Sequence, residues 1–273
     1  MLLPTYAWLT LAVFLPLLAM LAFSAMDTAP FGKTPLVWSL RHYRAFVDQP
    51  YLVGVAWTTL ALALWTTAIC AVLGLAAALA IVRGVPPRWR IAILLLVILP
   101  FWTNGLVRVF SWTMVLRENG FLDVVVRWFA PDAASVGFLY SQPAIVVGLV
   151  HAYVPYTILT CYVALAAIDE SLLEAARSLG ARPLTVFWEV ILPLARPGLV
   201  AGAVLTFVPV VGSFMEPRIL GGPKGVTLGT VIEDQFTQAF NWPLGSALAF
   251  TILAAVLGVL ATFSGVLRRG VAA

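Results

Sequence analysis

The chain has 273 residues, of which 62% are hydrophobic and 10% charged, with a mean hydropathy of +1.00. Soluble domains are roughly 45–50% apolar and about 25% charged, so a water-soluble globule is excluded by the apolar surface it would have to hide. The net charge of +4 does not mark a nucleic-acid binder, because the basic residues sit in short gaps between apolar runs and are not gathered on one face.

A bilayer core of about 30 Å needs about 20 apolar helical residues, a length that selects runs at 5–26, 51–82, 91–116, 143–168, 198–215 and 244–267. These predict an all-α, polytopic membrane protein with six transmembrane helices, organised as one membrane domain over 1–273. The first run carries an A-x-A-like pair, Ala22 and Ala25, but lacks a basic leading segment and is longer than a signal-peptide core, so it is read as a retained helix. Cys70 and Cys161 both fall inside apolar runs, which gives neither a disulfide framework nor a metal-ligand spacing and suits buried free thiols.

Arg83, Arg88 and Arg90 crowd the second connection without an acid, and Arg268 and Arg269 lie near the end of the sequence. The positive-inside rule therefore puts these segments, both termini and the 169–197 connection in the cytoplasm. Lys33, Arg41, Arg44, Arg117, Arg127, Arg218 and Lys224 fall in the longer connections of the opposite side, where basic density is lower.

The 169–197 connection begins Asp-Glu-Ser-Leu-Leu-Glu-Ala-Ala-Arg-Ser-Leu-Gly. Ser171 and Glu174 have capping-box spacing, so a helix is expected to start at Ser171, with Leu172, Ala176 and Leu179 on one face. Gly180 supplies a left-handed cap and Pro183 a stop. About two turns of helix are marginal in water, so this segment needs a partner surface.

Glu174-Ala175-Ala176, Gly180 and Leu192-Pro193 resemble the EAA signature of bacterial ABC importer permeases, E-A-A-x3-G-x9-I-x-L-P, with Val190 in place of Ile. The resemblance implies a type I ABC importer permease fold in the bacterial inner membrane. It also implies that Ser171, Glu174, Ala175, Ala176, Leu179 and Gly180 belong to a coupling helix docking on a cytoplasmic ATPase. Glu174 has a second reading as a capping-box member, and the two are compatible. The implied partners are a second permease subunit, either a paralogue or a second copy, two ATP-binding subunits and a periplasmic binding protein. ATP and Mg2+ would sit on the ATPase, since this sequence has no Walker phosphate loop, and the chain itself is expected to bind no cofactor or metal and to catalyse nothing.

The stretches Leu99-Pro-Phe-Trp-Thr-Asn-Gly-Leu-Val-Arg108 and Phe207-Val-Pro-Val-Val-Gly-Ser-Phe214, with Leu220-Gly-Gly222, Gln235-Phe236 and Trp242-Pro-Leu-Gly-Ser246, are similar to the spermidine/putrescine permease group. Permeases for opines, phosphonates, iron or other solutes are the alternative. A polyamine crossing a low-dielectric region needs acidic or aromatic partners. Glu216 is the best-placed carboxylate, and Trp102, Tyr153, Phe214 and Trp242 are candidate cation–π partners. Pro209, Gly212 and Pro217 are positioned to break the helix there. Two readings of Glu216 stay open, contact with the cargo or pairing with Arg218, and the aromatics also fit an interfacial belt. Asn104 is expected to bond across helices. Arg108 is expected to face the bundle or snorkel in a structural or gating role, with Glu118 as a possible counter-charge. His151 is expected to be a packed, hydrogen-bonded imidazole, and Glu233 and Asp234 precede the sixth span, where they either meet a cation at the periplasmic mouth or lie in a solvated loop. A secondary transporter would place carboxylates within its spans and a membrane enzyme would cluster its His, Asp or Ser, and neither pattern is present.

Overall fold

The computed structural model describes residues 3–28, 37–130 and 137–271, with side chains described from 5 to 261 within those ranges. Lys33 lies outside the described residues, and the side chains of Arg268 and Arg269 lie outside those described. The described residues form helices and a single isolated β-bridge between Met26 and Trp38. Five helices are long and apolar enough to cross a membrane, or up to six if one bent pair counts as a span.

The chain divides into two compact units. The first comprises Met1–Thr59 and Val226–Ala273. Here α1 (Leu3–Ser24) packs on α12 (Trp242–Val271), with Phe23 edge-on to Trp242 at 5.7 Å. The short α2 (Arg41–Asp48) is tied to the end of α1 by Tyr43, which donates to the Ser24 hydroxyl at 2.8 Å. An Arg41–Asp27 ion pair at 3.2 Å adds a second tie. α11 (Leu228–Thr237) opens on a reciprocal cap between Thr227 and Thr230, and the Leu228 amide donates to the Thr59 hydroxyl at 2.9 Å. Glu233 and Asp234 are therefore helical, not part of a loop.

The second unit is Leu60–Gly225. It holds the rest of α3 (Pro50–Gly84), then α4 (Pro87–Ile98), α5 (Gly105–Leu116), α6 (Phe121–Phe129), α7 (Gln142–Ala166), α8 (Glu170–Ser178), α9 (Pro183–Val186) and α10 (Leu192–Val211). The predicted run at 91–116 is not one straight helix. A 3-10 turn at Leu99–Trp102 ends α4, and the chain bends by 92° before α5. Pro100 provides no amide for a helical ladder, and Asn104 restarts the helix by accepting from the Leu106 amide at 2.8 Å. Asn104 is thus a cap and not the cross-helix partner expected.

Pro183 lies past the end of α8 at Ser178, as a stop does, and also begins the next helix. It opens α9, which continues through a π-helical turn at Phe187–Ile191 into α10, so one apolar helix runs from Pro183 to Val211. Proline suits a first helical turn because its missing amide has no partner there. The span expected to begin at 198 therefore reaches well into the connection assigned to 169–197. Pro209 stays inside α10 without breaking it, and the helix ends at Gly212.

α7 and α10 form the most extensive helix pair of the unit. Lipid gives helices no hydrophobic reason to associate, so close packing must hold them. A Cβ on Gly198 would lie 2.5 Å from the Thr160 carbonyl oxygen, and one on Gly202 2.7 Å from the Thr160 hydroxyl and 2.9 Å from the Thr157 Cα. Thr157 and Thr206, both fully buried, share a hydrogen bond of 3.2 Å across the pair. Gly74 of α3 fits against the same Thr157 side chain. Gly198→Ala should force the helices apart and cost about 1–3 kcal/mol, read as a lower thermal midpoint of the detergent-solubilised protein.

Candidate functional site

Two arrangements in the second unit carry the residues singled out from the sequence. The first is α8. Its N-cap is Asp169, whose carboxylate accepts from the Ser171 amide at 2.9 Å, so the helix begins at Glu170 and the expected Ser171/Glu174 capping box does not form. An Asp two residues ahead of that amide reaches it first, and a carboxylate is favoured at the positive end of a helix. The hydrogen bonds from the Ser171 backbone and side chain hold the Asp169 carboxyl below its ordinary range. The cap is therefore complete above the ordinary carboxylate range and is lost as pH falls through that lowered value.

At the other end, Gly180 has φ of +82°, the left-handed conformation expected of it. The Gly180 amide donates to the Arg177 carbonyl at 2.9 Å, and Ala181 to the Ala176 carbonyl at 3.1 Å. This pair of bonds is the Schellman arrangement.

The buried side of α8 differs from the one expected. Leu173 is fully buried, with Ala176 packed beside it, while Leu172 is half exposed and Leu179 is 89% exposed. Leu173 enters a cluster with Ala78 of α3, Cys161 and Leu165 of α7, Val186 of α9, Ile191 and Ala195. Glu174 and Ala175 remain on the surface. Arg83, at the end of α3, pairs with Glu170 at 3.1 Å. Arg90 donates to the Val82 and Val85 carbonyls, satisfying the C-terminal groups of α3.

The second arrangement surrounds Glu216. This carboxylate is 7% exposed and accepts from the Ser213 hydroxyl at 2.6 Å, so its partner is a hydroxyl in the interior. Gly148 of α7 leaves room beside it, since a Cβ there would reach the Glu216 Cγ at 3.7 Å. The turn at Pro217–Gly221 follows directly and buries Leu220 against α5 and α7.

Tyr153 stacks on Tyr156 with ring centroids 6.2 Å apart, Tyr156 meets the Phe101 ring edge-on at 5.1 Å, and the Arg108 guanidinium lies 5.6 Å from the Phe101 centroid. Trp112 is edge-on to His151 at 5.4 Å, so His151 is ring-packed, without the hydrogen bond expected at Nδ1.

The structure links Tyr153 to Arg108 through Tyr156 and Phe101, and sets Glu216 beside Ser213; Phe101, Tyr156 and Ser213 are residues that sequence reasoning missed. Tyr156 was detectable one helical turn from Tyr153, and Ser213 one turn before Glu216. Trp102 and Phe214 are exposed, at the α4 break and after α10. Trp242 lies in the first unit, between Phe23 and Phe236. Among the described residues no group of His, Cys, Asp or Glu has metal-holding geometry.

Residues 71–267 match the model of the binding-protein-dependent transport system inner membrane component family. The chain belongs to that family. Members are inner-membrane components of transport systems, which makes this chain a multi-pass, non-catalytic transport subunit, the permease of an ABC importer. It is 35% identical over 255 residues to the spermidine/putrescine transport system permease protein PotB of Escherichia coli (strain K12), covering 93% of this chain and 91% of that protein. It is 27% identical to the molybdenum transport system permease protein ModB of Mycobacterium bovis, covering 91% of this chain and 90% of that one.

A bacterial ABC transporter for the acidic polysaccharide alginate, solved with a pentasaccharide-bound periplasmic protein, has the same fold. Its TM-score is 0.81 at 18% identity, over 98% of this chain and 93% of that one. The MetNI methionine ABC transporter matches at a TM-score of 0.59 and 21% identity, over 80% of this chain and 95% of that one.

The burial pattern of α8 separates two leucines of similar chemistry. Leu173→Ala should cost the α8 cluster about 2–5 kcal/mol and raise amide exchange across Glu170–Ser178. Leu179→Ala should leave that exchange unchanged, since an exposed substitution is worth within about 0.5 kcal/mol.

Proposed function

We propose that this permease carries a polyamine, spermidine or putrescine, or a closely related organic cation, through the inner membrane. The observation that carries the reading is the 35% identity to a spermidine/putrescine permease along 93% of the chain. The interior around Glu216 supports it physically. A cation stripped of water needs a carboxylate and aromatic faces, and Glu216 is a buried carboxylate held by a hydroxyl. Tyr153 and Tyr156 offer faces each worth about 0.5–2 kcal/mol to a cation. Arg108, covered by Phe101, is assigned a structural or gating role beside that path, and Trp102, Asn104 and Phe214 are assigned to its approaches.

α8 is the coupling helix. Leu173 anchors it to α3 and α7, while Leu172, Glu174, Ala175 and Leu179 face outward for an ATPase, with Ser171, Ala176 and Gly180 fixing its start, inner face and end. The chain acts as one membrane domain with the α8 side and both termini in the cytoplasm. It pairs with a second permease subunit, two ATP-binding subunits that hold ATP and Mg2+, and a periplasmic binding protein.

The discriminating measurement is uptake of labelled spermidine and putrescine by the reconstituted system, with an unrelated amino acid as control. Polyamine uptake supports the cargo assignment, and its absence with retained binding-protein-stimulated ATPase activity overturns it. Glu216→Gln should lower polyamine uptake roughly ten- to a hundredfold at unchanged complex yield, the equivalent of losing one charge-assisted contact. Glu174→Lys should leave the assembled protein in the membrane and uncouple uptake from hydrolysis, measured as ATP consumed per polyamine moved.

A further inference from the structure

The helix α6 has its polarity reversed relative to a water-facing helix. Its acid points inward. Asp123 is 1% exposed and accepts from the Asn119 amide at 3.0 Å and from Arg127 at 3.2 Å. Leu122 packs inward on the cluster formed by Val109, Leu116, Ala144 and Leu220. The outward stripe is apolar, with Phe121, Val124 and Trp128 at i, i+3 and i+7, and with Phe129 beside them. Trp128 and Phe129 are 84% and 85% exposed. Such a stripe is not stable against water, so something apolar covers it.

The position of α6 identifies the cover. Successive residues of α5 and the turn before it climb α7 toward its first residue: Phe101 meets Tyr156, Trp112 meets His151, and Leu116 shares a cluster with Ala144. α7 is a membrane-crossing helix that begins at Gln142, so α5 ends level with that edge of the bilayer. The Leu116 carbonyl accepts from the Phe138 and Leu139 amides, which pins the segment there. α6 starts at Phe121, within the reach of a few residues from this point. The outward side chains of α5, Val107, Phe110 and Met114, are apolar and exposed, as lipid-facing positions of a spanning helix are. The stripe on α6 continues that surface, and Arg127 and Arg117 flank it with groups that seek water.

We propose that α6 is an interfacial anchor, with Phe121, Val124, Trp128 and Phe129 bedded in the headgroup–acyl boundary of the leaflet at the α7 N-terminal edge. Helices of this kind sink about 5–10 Å into that boundary. Aromatic residues, tryptophan above all, are enriched at that depth. The buried Asp123 keeps the helix from rolling, because rotation would carry its carboxylate toward hydrocarbon. The occupant is lipid and not a protein subunit.

The test places a cysteine at 124 or 128 (Val124→Cys, Trp128→Cys), with Glu118→Cys in the preceding turn as the water-facing control. Each carries an NBD probe in the full chain, reconstituted with its co-purifying subunits in liposomes. The native thiols Cys70 and Cys161 are buried, and the wild-type chain provides the labelling blank. The expected result is quenching at 124 and 128 by shallow doxyl-labelled lipid several-fold greater than at 118, with iodide in the aqueous phase giving the reverse order. Equal iodide quenching at all three positions overturns the proposal. Shielding from iodide at 124 and 128 without lipid quenching also overturns it, since a protein would then be the cover.

Discussion

The approach of α10 to α7 without intervening side-chain bulk is the constraint on which the second unit depends. Gly198 and Gly202 present bare backbone to Thr157 and Thr160, and the Thr157–Thr206 hydrogen bond closes the contact. In hydrocarbon such a bond is worth only about 0.6 kcal/mol on average, so the dispersion gained by close contact must supply the rest. Both candidate functional regions are built on this pair. Beyond one end of it, Glu216 lies against Gly148. At the other, Cys161, Leu165, Ile191 and Ala195 form the socket for Leu173.

A buried carboxylate is costly, and the chain accommodates Glu216 with limited means. Ser213 donates one strong hydrogen bond, and Gly148 supplies space. A bidentate arginine would satisfy the acid more fully. Arg108 is instead placed over the Phe101 ring, where its charge is partly compensated by the aromatic face. Arg108 and Glu216 thus have different partners within the same unit, an aromatic ring and a hydroxyl.

Much of this was legible in the residues, and the rest was hidden for identifiable reasons. Hydropathy located the long helices because hydrocarbon thickness sets their length, and Gly180 announced its left-handed cap because few other residues adopt that conformation cheaply. The buried face of α8 was not legible. Leu172 and Leu173 are adjacent, and only the cluster beneath the helix decides which of them turns inward. The cap was missed because Asp169 and Ser171 are both good N-cap residues, and the first of them captured the amide. The break at Leu99–Trp102 had its signals in Pro100 and Asn104, but an apolar run hides a bend from any average taken over its length.

The same limitation explains α9 and α10, where Pro183 follows the end of α8 and is also the first residue of the next helix. One helical path runs from Pro183 to Val211, so the chain leaving the Schellman turn of α8 enters a rod and not a loop. Val186 and Ile191, on the first turns of that rod, share their cluster with Leu173. A displacement of α8 therefore meets packed side chains on α3, α7 and the start of that rod at once. Close-packed clusters transmit displacement because they have little void to absorb it. The π-helical turn at Phe187–Ile191 is the weak point of this path, since it departs from the regular ladder of the helix on either side. Rigid contact on the Leu173 side and an irregular turn directly beside it give α8 both a firm hold on the spans and a place where the backbone can yield.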